Sequence, residues 1–536
     1  MIRSDTDRDA AAGKPVRPAR AGGEAREGRV ADGERGAMAD VAARTGGRLL
    51  ARNSALYLMG WVLPMAAALV TVPLLIRGLG TERFGILTVG WVVLGYFGLF
   101  DLGVGRALTK MVSERLGTED VDELPPLVWT ALLLMFLLGA AGAVVLALLA
   151  PWLVGHALKI SPEYEGEALR TFYLLAFSLP WVISTTGFSG VIEANQRFGL
   201  VSGLRVPVGL FTYVGPLAVL PFSNSLVPVI ALLVAGRVLA WAAHLAACLH
   251  VLPLLKRRVG VEWGRVRGLM QLGGWMTVSN VVSPLMTYSD RFLIGGLISM
   301  SAVAYYVTPY ELVTKLLMIP NALLGVLFPA LAATFVLDRS RTELLLGRGV
   351  RALFLLMFPA TLVVVTLAQE GMQLWMGRAF ASQSAGVLRW LAVGVFINCL
   401  GQAPFALIQG IGRPDLTAKL HLLELPLYTI AIYSLARTFG LEGVAIAWVL
   451  RVAVDTVLLY VLAARFLPQG RVLLRTTAQL TAVALSVFGV GVVLVGLGAK
   501  LTFLAGVLPL FAVIGWFRIL QPAERALLQG WRMARA

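Results

Sequence analysis

Residues 127–154 read LVWTALLLMFLLGAAGAVVLALLAPWLV, an apolar run without a single charge. About 20 such residues in a helix cross the hydrocarbon of a bilayer. Membrane β-strands would instead alternate apolar and polar side chains over about 10 positions. The run reads as a transmembrane helix, which satisfies its own backbone hydrogen bonds in lipid.

The rest of the chain repeats the pattern. Of its 536 residues, 58% are hydrophobic and 14% charged, with a mean hydropathy of +0.79. An ordinary soluble domain is about 45–50% apolar and about 25% charged. These values exclude a soluble enzyme, a soluble nucleic-acid binder despite the net charge of +16, and disorder over most of the length. The fold class expected is all-α and polytopic. Fourteen spans are read, at 54–76, 84–107, 126–154, 168–192, 204–222, 226–252, 270–298, 302–334, 350–368, 385–409, 419–436, 441–464, 476–498 and 501–519, with twelve as the fallback. Residues 1–48 read as a disordered cytoplasmic tail, and 521–536 as a second tail. No apolar stretch follows the N-terminus closely enough for a signal peptide, and Met38 offers an alternative start.

Charge sets the expected orientation. With the N-terminus inside, the cytoplasmic loops carry 19 Lys and Arg and the outer loops six, the bias of the positive-inside rule. Both termini are then cytoplasmic. The longest outer loops, 155–167 and 369–384, are too short for an extramembrane enzyme domain.

The two halves resemble each other at an offset of 214 to 219 residues. Leu169-Arg170 recurs as Leu388-Arg389, the stretch ending in Arg197 lies against the one ending in Arg413, and Arg237 matches Arg451. A unit of six spans returns the chain to its starting side, so the halves are expected to be parallel repeats about an axis along the membrane normal. This gives a lobe at 49–252, a basic linker at 253–268, a second lobe at 269–467 and two further helices at 468–520. Paired lobes of this kind build alternating access in many transporters.

Covalent chemistry is not expected. Cys248 and Cys399 lie in apolar runs, and His156, His244, His250 and His421 are scattered. No metal site, cofactor or nucleotide-binding motif is read. Of the 46 basic residues 39 are Arg, which fits either a GC-rich genome or bidentate phosphate recognition.

Several motifs carry a family resemblance. Leu79-Gly80-Thr81-Glu82-Arg83-Phe84-Gly85 precedes the second span, and Phe100-Asp101-Leu102-Gly103-Val104-Gly105 follows in it. Asp290-Arg291-Phe292-Leu293-Ile294-Gly295 leads to Ala304-Tyr305-Tyr306, Ile319-Pro320 and Leu327-Phe328-Pro329. Over residues 50–520 the chain resembles the polysaccharide-transporter family, the Wzx-type oligosaccharide flippases of the MATE-like (MOP) superfamily. The resemblance implies two six-helix lobes around a cavity in a bacterial inner membrane. It implies passage of polyprenyl-pyrophosphate-linked glycans to the outer leaflet, with other polysaccharide assembly proteins as partners. The long N-terminal tail departs from the family pattern. A cation-coupled small-molecule exporter of the same superfamily is the alternative. A membrane-embedded polymerase or ligase is disfavoured by the short outer loops.

Ionisable groups inside spans are costly and therefore candidates for function. The basic ones are Arg170, Arg237, Arg291, Lys315, Arg389 and Arg451; the acidic ones include Asp101, Asp290, Glu311, Glu424 and Asp455. With Arg106 at a span end, Arg291, Lys315, Arg237 and Arg451 are the expected contacts of an anionic substrate. Asp101, Asp290, Glu311 and Asp455 are expected to couple or gate. Each has a structural alternative. Arg291 would pair between helices. Glu311 and Lys315, four apart on one helical face, would neutralise each other, as would Arg451 and Asp455. Asp101 would pair with Arg106 beside glycines that let helices approach.

Overall fold

The computed structural model describes residues 47–96, 101–117, 121–266, 288–522 and 524–525. The described residues up to Trp61 belong to one unit, and the helices pack together within a second unit that begins at Val62. The described residues are helical, with no strand among them. The first seven helices are α1 (Gly47–Leu79), α2 (Thr81–Tyr96), α3 (Val104–Gly117), α4 (Leu124–Trp152), α5 (Pro162–Ala194), α6 (Phe198–Val219) and α7 (Leu226–Val251). After residues 267–287 come α8 (288–297), α9 (Met300–Thr314), α10 (Met318–Leu337), α11 (Arg339–Thr366) and the short α12 (Ala368–Met376). The last four are α13 (Arg378–Gly410), α14 (Pro414–Ala464), α15 (Gly470–Val493) and α16 (Leu497–Ile514).

Ten helical stretches among the described residues are long and apolar enough to cross a membrane. The 51-residue α14 is two of the expected spans, broken at Gly440 (φ 60°, ψ −135°). The expected span 270–298 falls largely outside the described residues. The span expected at 84–107 is not one helix. α2 ends at Tyr96, and α3 begins afresh at Val104 after Leu102 (φ 52°) and Gly103 (φ 71°). Asp101 explains the restart. Its carboxylate accepts from the backbone N–H of Gly103 and of Gly105, each at 2.9 Å, and so satisfies donors that a helix start leaves open. A cap inside an apolar segment is legible as the Asp-Leu-Gly-Val-Gly sequence only once the break is seen.

The helices pack into two groups. In the first, α5 lies between α4 and α7; in the second, α13 lies among α9, α11 and α14. Burial separates centre from rim: 67% of the apolar window of α5 and 78% of that of α13 is buried, against 11% for α6 and α16. Large apolar side chains such as Leu148, Val454 and Val495 are exposed on the rim. In water such a surface would associate or precipitate, whereas lipid solvates it. The chain is a multi-pass membrane protein.

The internal offset reappears in the elements. Pro162 and Arg378, which open α5 and α13, are 216 positions apart, and so are Ala194 and Gly410, which close them. The final helices attach to the second group by an aromatic seam. Phe358 of α11 stacks on Phe488 of α15 (5.4 Å) and on Phe511 of α16 (4.2 Å). Buried Lys500 binds Glu370 of α12 at 2.8 Å, and Arg351 binds Glu524 at 2.7 Å. Partial burial pushes the Glu524 carboxyl up, but Arg351, the Gln521 backbone N–H and Arg348 together outweigh it and leave it below its ordinary range.

Gly440 occupies backbone space that an L side chain avoids, so Gly440→Ala is expected to destabilise the protein by about 1–3 kcal/mol. Gly506 lies inside α16 with open space around it, so Gly506→Ala is expected to be neutral or to stabilise by up to about 1 kcal/mol. Thermal unfolding of the purified variants in one detergent checks both, and equal midpoints would contradict the assignment of the break.

Candidate functional site

The two groups meet where α2 lies along α9. Gly85 makes this approach feasible, because a Cβ there would collide with the Met300 carbonyl. Near this contact Thr81 Oγ1 lies 3.3 Å from Ser301 Oγ, and Lys159 donates through its backbone N–H to Gly295 O (2.9 Å) and through Nζ to Leu297 O (2.6 Å). Trp375 of α12 donates its indole N–H to Leu69 O at 2.7 Å. These cross-links cluster near the Lys159 end of the helices.

Two residues of the first motif stiffen that end. Glu82 accepts from both the backbone N–H (2.6 Å) and the hydroxyl (2.8 Å) of Ser161. Arg83 pairs with Glu167 at 3.0 Å, and Glu167 also accepts from Leu226 N–H and from Ser225 Oγ. Two carboxylates therefore tie α2 to the starts of α5 and α7.

Each group holds a polar cavity that reaches the opposite end. The first, about 440 Å³, is lined by a stripe of α5 at 182, 185, 186, 189, 190 and 193, one face of a helix. Asp101, just before α3, joins Arg106 of α3, Arg205 of α6, and Arg237 and His244 of α7. Arg205 lies 3.4 Å from Glu193, while the Asp101 carboxylate is engaged by backbone N–H groups. Arg106 and Arg237 have no ion-pair partner among the described residues. The second cavity, about 450 Å³, is lined by the equivalent stripe of α13 at 398, 401, 402, 405, 406 and 409, with Asn321, His421, Arg451 and Asp455. Every position of one stripe corresponds to a position of the other at an offset of 216.

The repeated positions hold different chemistry. Thr186 becomes Gln402, Ser189 becomes Phe405, Glu193 becomes Gln409, and Arg205 becomes His421. Arg237 keeps its type as Arg451, but Arg451 Nε sits 3.4 Å from Glu424 and its guanidinium lies 5.6 Å from the Tyr428 ring. His421, Glu424 and Asp455 bring donor atoms within 4.8 Å of one another. One buried oxygen each of Glu424 and Asp455 makes no hydrogen bond among the described residues, though that of Asp455 lies 3.7 Å from His421 Nε2.

A third cavity, about 270 Å³ and nearly all apolar, lies between the groups. Its charged lining is Glu311 and Lys315. Glu311 binds Lys315 at 3.1 Å and the buried Arg291 at 2.8 Å, so one carboxylate serves two cations. The Arg291 guanidinium also lies over Tyr288 (4.6 Å) and Tyr310 (5.4 Å). Adjacent Asp290 is buried and accepts from the Arg291 N–H at 2.7 Å.

The expected site residues thus separate into three places. Asp101, Arg106 and Arg237 line the first cavity, Arg451 and Asp455 the second, and Glu311 and Lys315 the third. Asp290 and Arg291 line none of the three; Arg291 makes the interhelical ion pair that was its structural alternative. His421 and the carboxamides Asn398, Gln402 and Gln409 were not singled out. Their signal lies in the repeat itself, which sets Gln409 against Glu193 in the stretches ending in Arg413 and Arg197 and, at the same offset, Gln402 against Thr186 and His421 against Arg205.

This geometry defines an all-α, multi-pass membrane protein with a cavity in each of two related helix groups. A family model described as "Polysaccharide biosynthesis protein" matches residues 50–335, more than half the chain, and the chain belongs to that family. It is 30% identical over 410 residues to a Shigella flexneri protein named "Putative O-antigen transporter", covering 76% of this chain and 96% of the relative. It is 22% identical over 416 residues to the Haloferax volcanii "Probable low-salt glycan biosynthesis flippase Agl15", covering 76% of this chain and 82% of the relative. Among solved structures it resembles a multidrug resistance MATE family transporter of the MOP superfamily in an inward-facing conformation (TM-score 0.59, 16% identity, 79% of this chain and 99% of the other). It also resembles the lipid II flippase MurJ in an inward closed conformation (TM-score 0.59, 11% identity, 84% and 100%). At these identities the structures share a fold.

Glu311→Gln removes the charge that Arg291 and Lys315 share, and is expected to destabilise by about 2 kcal/mol, less than a wholly buried pair would lose because Glu311 is half-exposed. Lys315→Gln leaves the Arg291 pair intact and is expected to cost under about 1 kcal/mol. Thermal midpoints of the two purified variants check the order, and the reverse order would refute it.

Proposed function

We propose that the chain is a flippase that moves a polyprenyl-pyrophosphate-linked oligosaccharide from the inner to the outer leaflet of a bacterial cytoplasmic membrane, for surface polysaccharide assembly. One observation carries the reading for this chain. Arg106 and Arg237 stand in a polar cavity with no ion-pair partner among the described residues, its two carboxylates being engaged by backbone N–H groups (Asp101) and by Arg205 (Glu193), and a protein keeps such charges in a membrane where an anion or solvent meets them. The names of the family and of its relatives point to glycan transport; they are transporters and flippases rather than enzymes.

The positive-inside bias places the cavity openings on the cytoplasmic face and the Lys159 end outside. The protein is then closed to the outside and ready to load. Pyrophosphate enters the first cavity, where Arg106 and Arg237 offset its desolvation by charge-assisted hydrogen bonds. The polyprenyl tail stays in lipid. The lobes then rock, breaking the Thr81–Ser301 and Lys159 contacts and exposing the headgroup outward. Glu311, held by Arg291 and Lys315 at the inter-lobe cavity, gates this step. Arg451 and Asp455 serve the second lobe, and Asp101 holds the helix start that aims Arg106. Membrane potential, negative inside, favours outward passage of an anion by about 2.3 kcal/mol per charge per 100 mV.

Deleting the gene in its host is expected to accumulate a complete polyprenyl-pyrophosphate oligosaccharide and to remove one surface polymer. Wild type restores the polymer, and Arg237→Gln restores it poorly. Unchanged lipid-linked glycans with raised drug sensitivity would instead favour the exporter. The outer contact has its own check. Thr81→Cys with Ser301→Cys places two thiols within reach of a disulfide, and the native Cys248 and Cys399 are buried. Oxidation is expected to abolish transport in membrane vesicles and reductant to restore it. Full transport by the oxidised pair would contradict lobe separation at this end.

A further inference from the structure

The two polar cavities occupy equivalent positions of the repeat yet differ in what they can bind. The first is lined by three guanidiniums; Arg205 is held by Glu193 and the Asp101 carboxylate by backbone N–H groups, which leaves Arg106 and Arg237 with no ion-pair partner among the described residues. In the second the one lining guanidinium, Arg451, is held by Glu424 at 3.4 Å and shares the site with the Asp455 carboxylate. A second phosphate site is therefore not what the duplication retained. Carboxamides stand there instead. Gln402 Nε2 donates to Asn398 Oδ1 at 3.1 Å, and Gln409 Nε2 donates to Thr417 Oγ1 at 2.9 Å. Each glutamine keeps a second N–H and its carbonyl for another partner, and a carboxamide donates and accepts at once.

We propose that this second cavity is the glycan subsite, which takes the neutral sugar units next to the pyrophosphate while the first cavity takes the pyrophosphate. The inference rests on the flippase reading above and assigns the second lobe its own ligand chemistry. Sugar hydroxyls are paired donors and acceptors, matched by Asn398, Gln402 and Gln409, with the Asp455 carboxylate as an added acceptor. A pyranose ring also presents an apolar C–H face. Phe405, parallel to the His421 ring at 14° with centroids 6.3 Å apart, supplies a flat surface for it. The volume, about 450 Å³, lies within the roughly 300–1,000 Å³ of small-molecule sites. Specificity is the physical advantage. A site built to hydrogen-bond a hydroxyl rejects a ligand that lacks it, because its own buried polar groups are then left unpaired.

The test measures binding of two lipids to the purified full-length protein in nanodiscs. One is undecaprenyl pyrophosphate, and the other is the same lipid bearing a single N-acetylhexosamine. Wild type is expected to bind the glycosylated lipid more tightly. Asn398→Leu with Gln402→Met keeps volume and removes both members of one hydrogen bond. It is expected to lower affinity for the glycosylated lipid about tenfold and to leave the sugar-free lipid within about twofold, which also shows that the variant is folded. Arg237→Gln is expected to weaken both lipids alike. Equal weakening of both lipids by the carboxamide variant overturns the subsite, as does no effect on either. A variant that binds both lipids normally but shifts the sodium or pH dependence of binding also overturns it, and makes the cavity an ion site. Wild type that binds neither lipid overturns the flippase reading, and the subsite falls with it.

Discussion

Hydrocarbon offers a charged side chain neither hydrogen bonds nor dielectric screening, and the placement of this chain's ionised groups follows from that. Arg291 is buried and so must have an opposite charge at hand; Glu311 supplies it and binds Lys315 as well. Lys500 is buried and finds Glu370. Arg451 finds Glu424. Against this background Arg106 and Arg237 of the first cavity stand apart, because neither has an ion-pair partner among the described residues. The contrast separates charges paired within the fold from the two on which the proposed anion site rests.

The same constraint explains the closure between the groups. Lipid tails are as apolar as leucine side chains, so burial drives helix association weakly inside a membrane. Close backbone approach and hydrogen bonds do more there. Gly85 brings α2 against α9, and the bonds from Lys159 and Trp375 are made to backbone carbonyls. Among the described residues few such bonds join the two groups. A seal of this kind suits a structure that opens and closes, whereas the aromatic seam of Phe358, Phe488 and Phe511 suits one that does not.

Much of the fold was legible in the sequence, because apolar length and helical geometry alone dictate it. The run at 127–154 is α4 and its extension, and the offset between halves is the spacing of α5 and α13. The candidate charges were legible for the same reason, since hydrocarbon makes each one conspicuous. Their partners were not. Nothing local tells that Arg291 meets a glutamate 20 positions on, or that Asp101 caps a new helix instead of lying within one. The carboxamide stripe of α13 was less conspicuous for a different reason. Asn and Gln cost less than a charge in a span and do not stand out as ionised groups do; the sequence repeat already sets Glu193 against Gln409, and extending the same offset sets Thr186 against Gln402.

The central claim is that this chain carries a lipid-linked glycan across the bilayer. The direct measurement reconstitutes the purified protein in liposomes holding a fluorescent undecaprenyl-pyrophosphoryl sugar in both leaflets, and follows quenching by a reductant that cannot cross the membrane. The account predicts that quenching passes from the outer-leaflet fraction to near completion when the protein is present. Quenching that stops at the outer leaflet with the intact protein, under an imposed potential and under proton and sodium gradients, would contradict it.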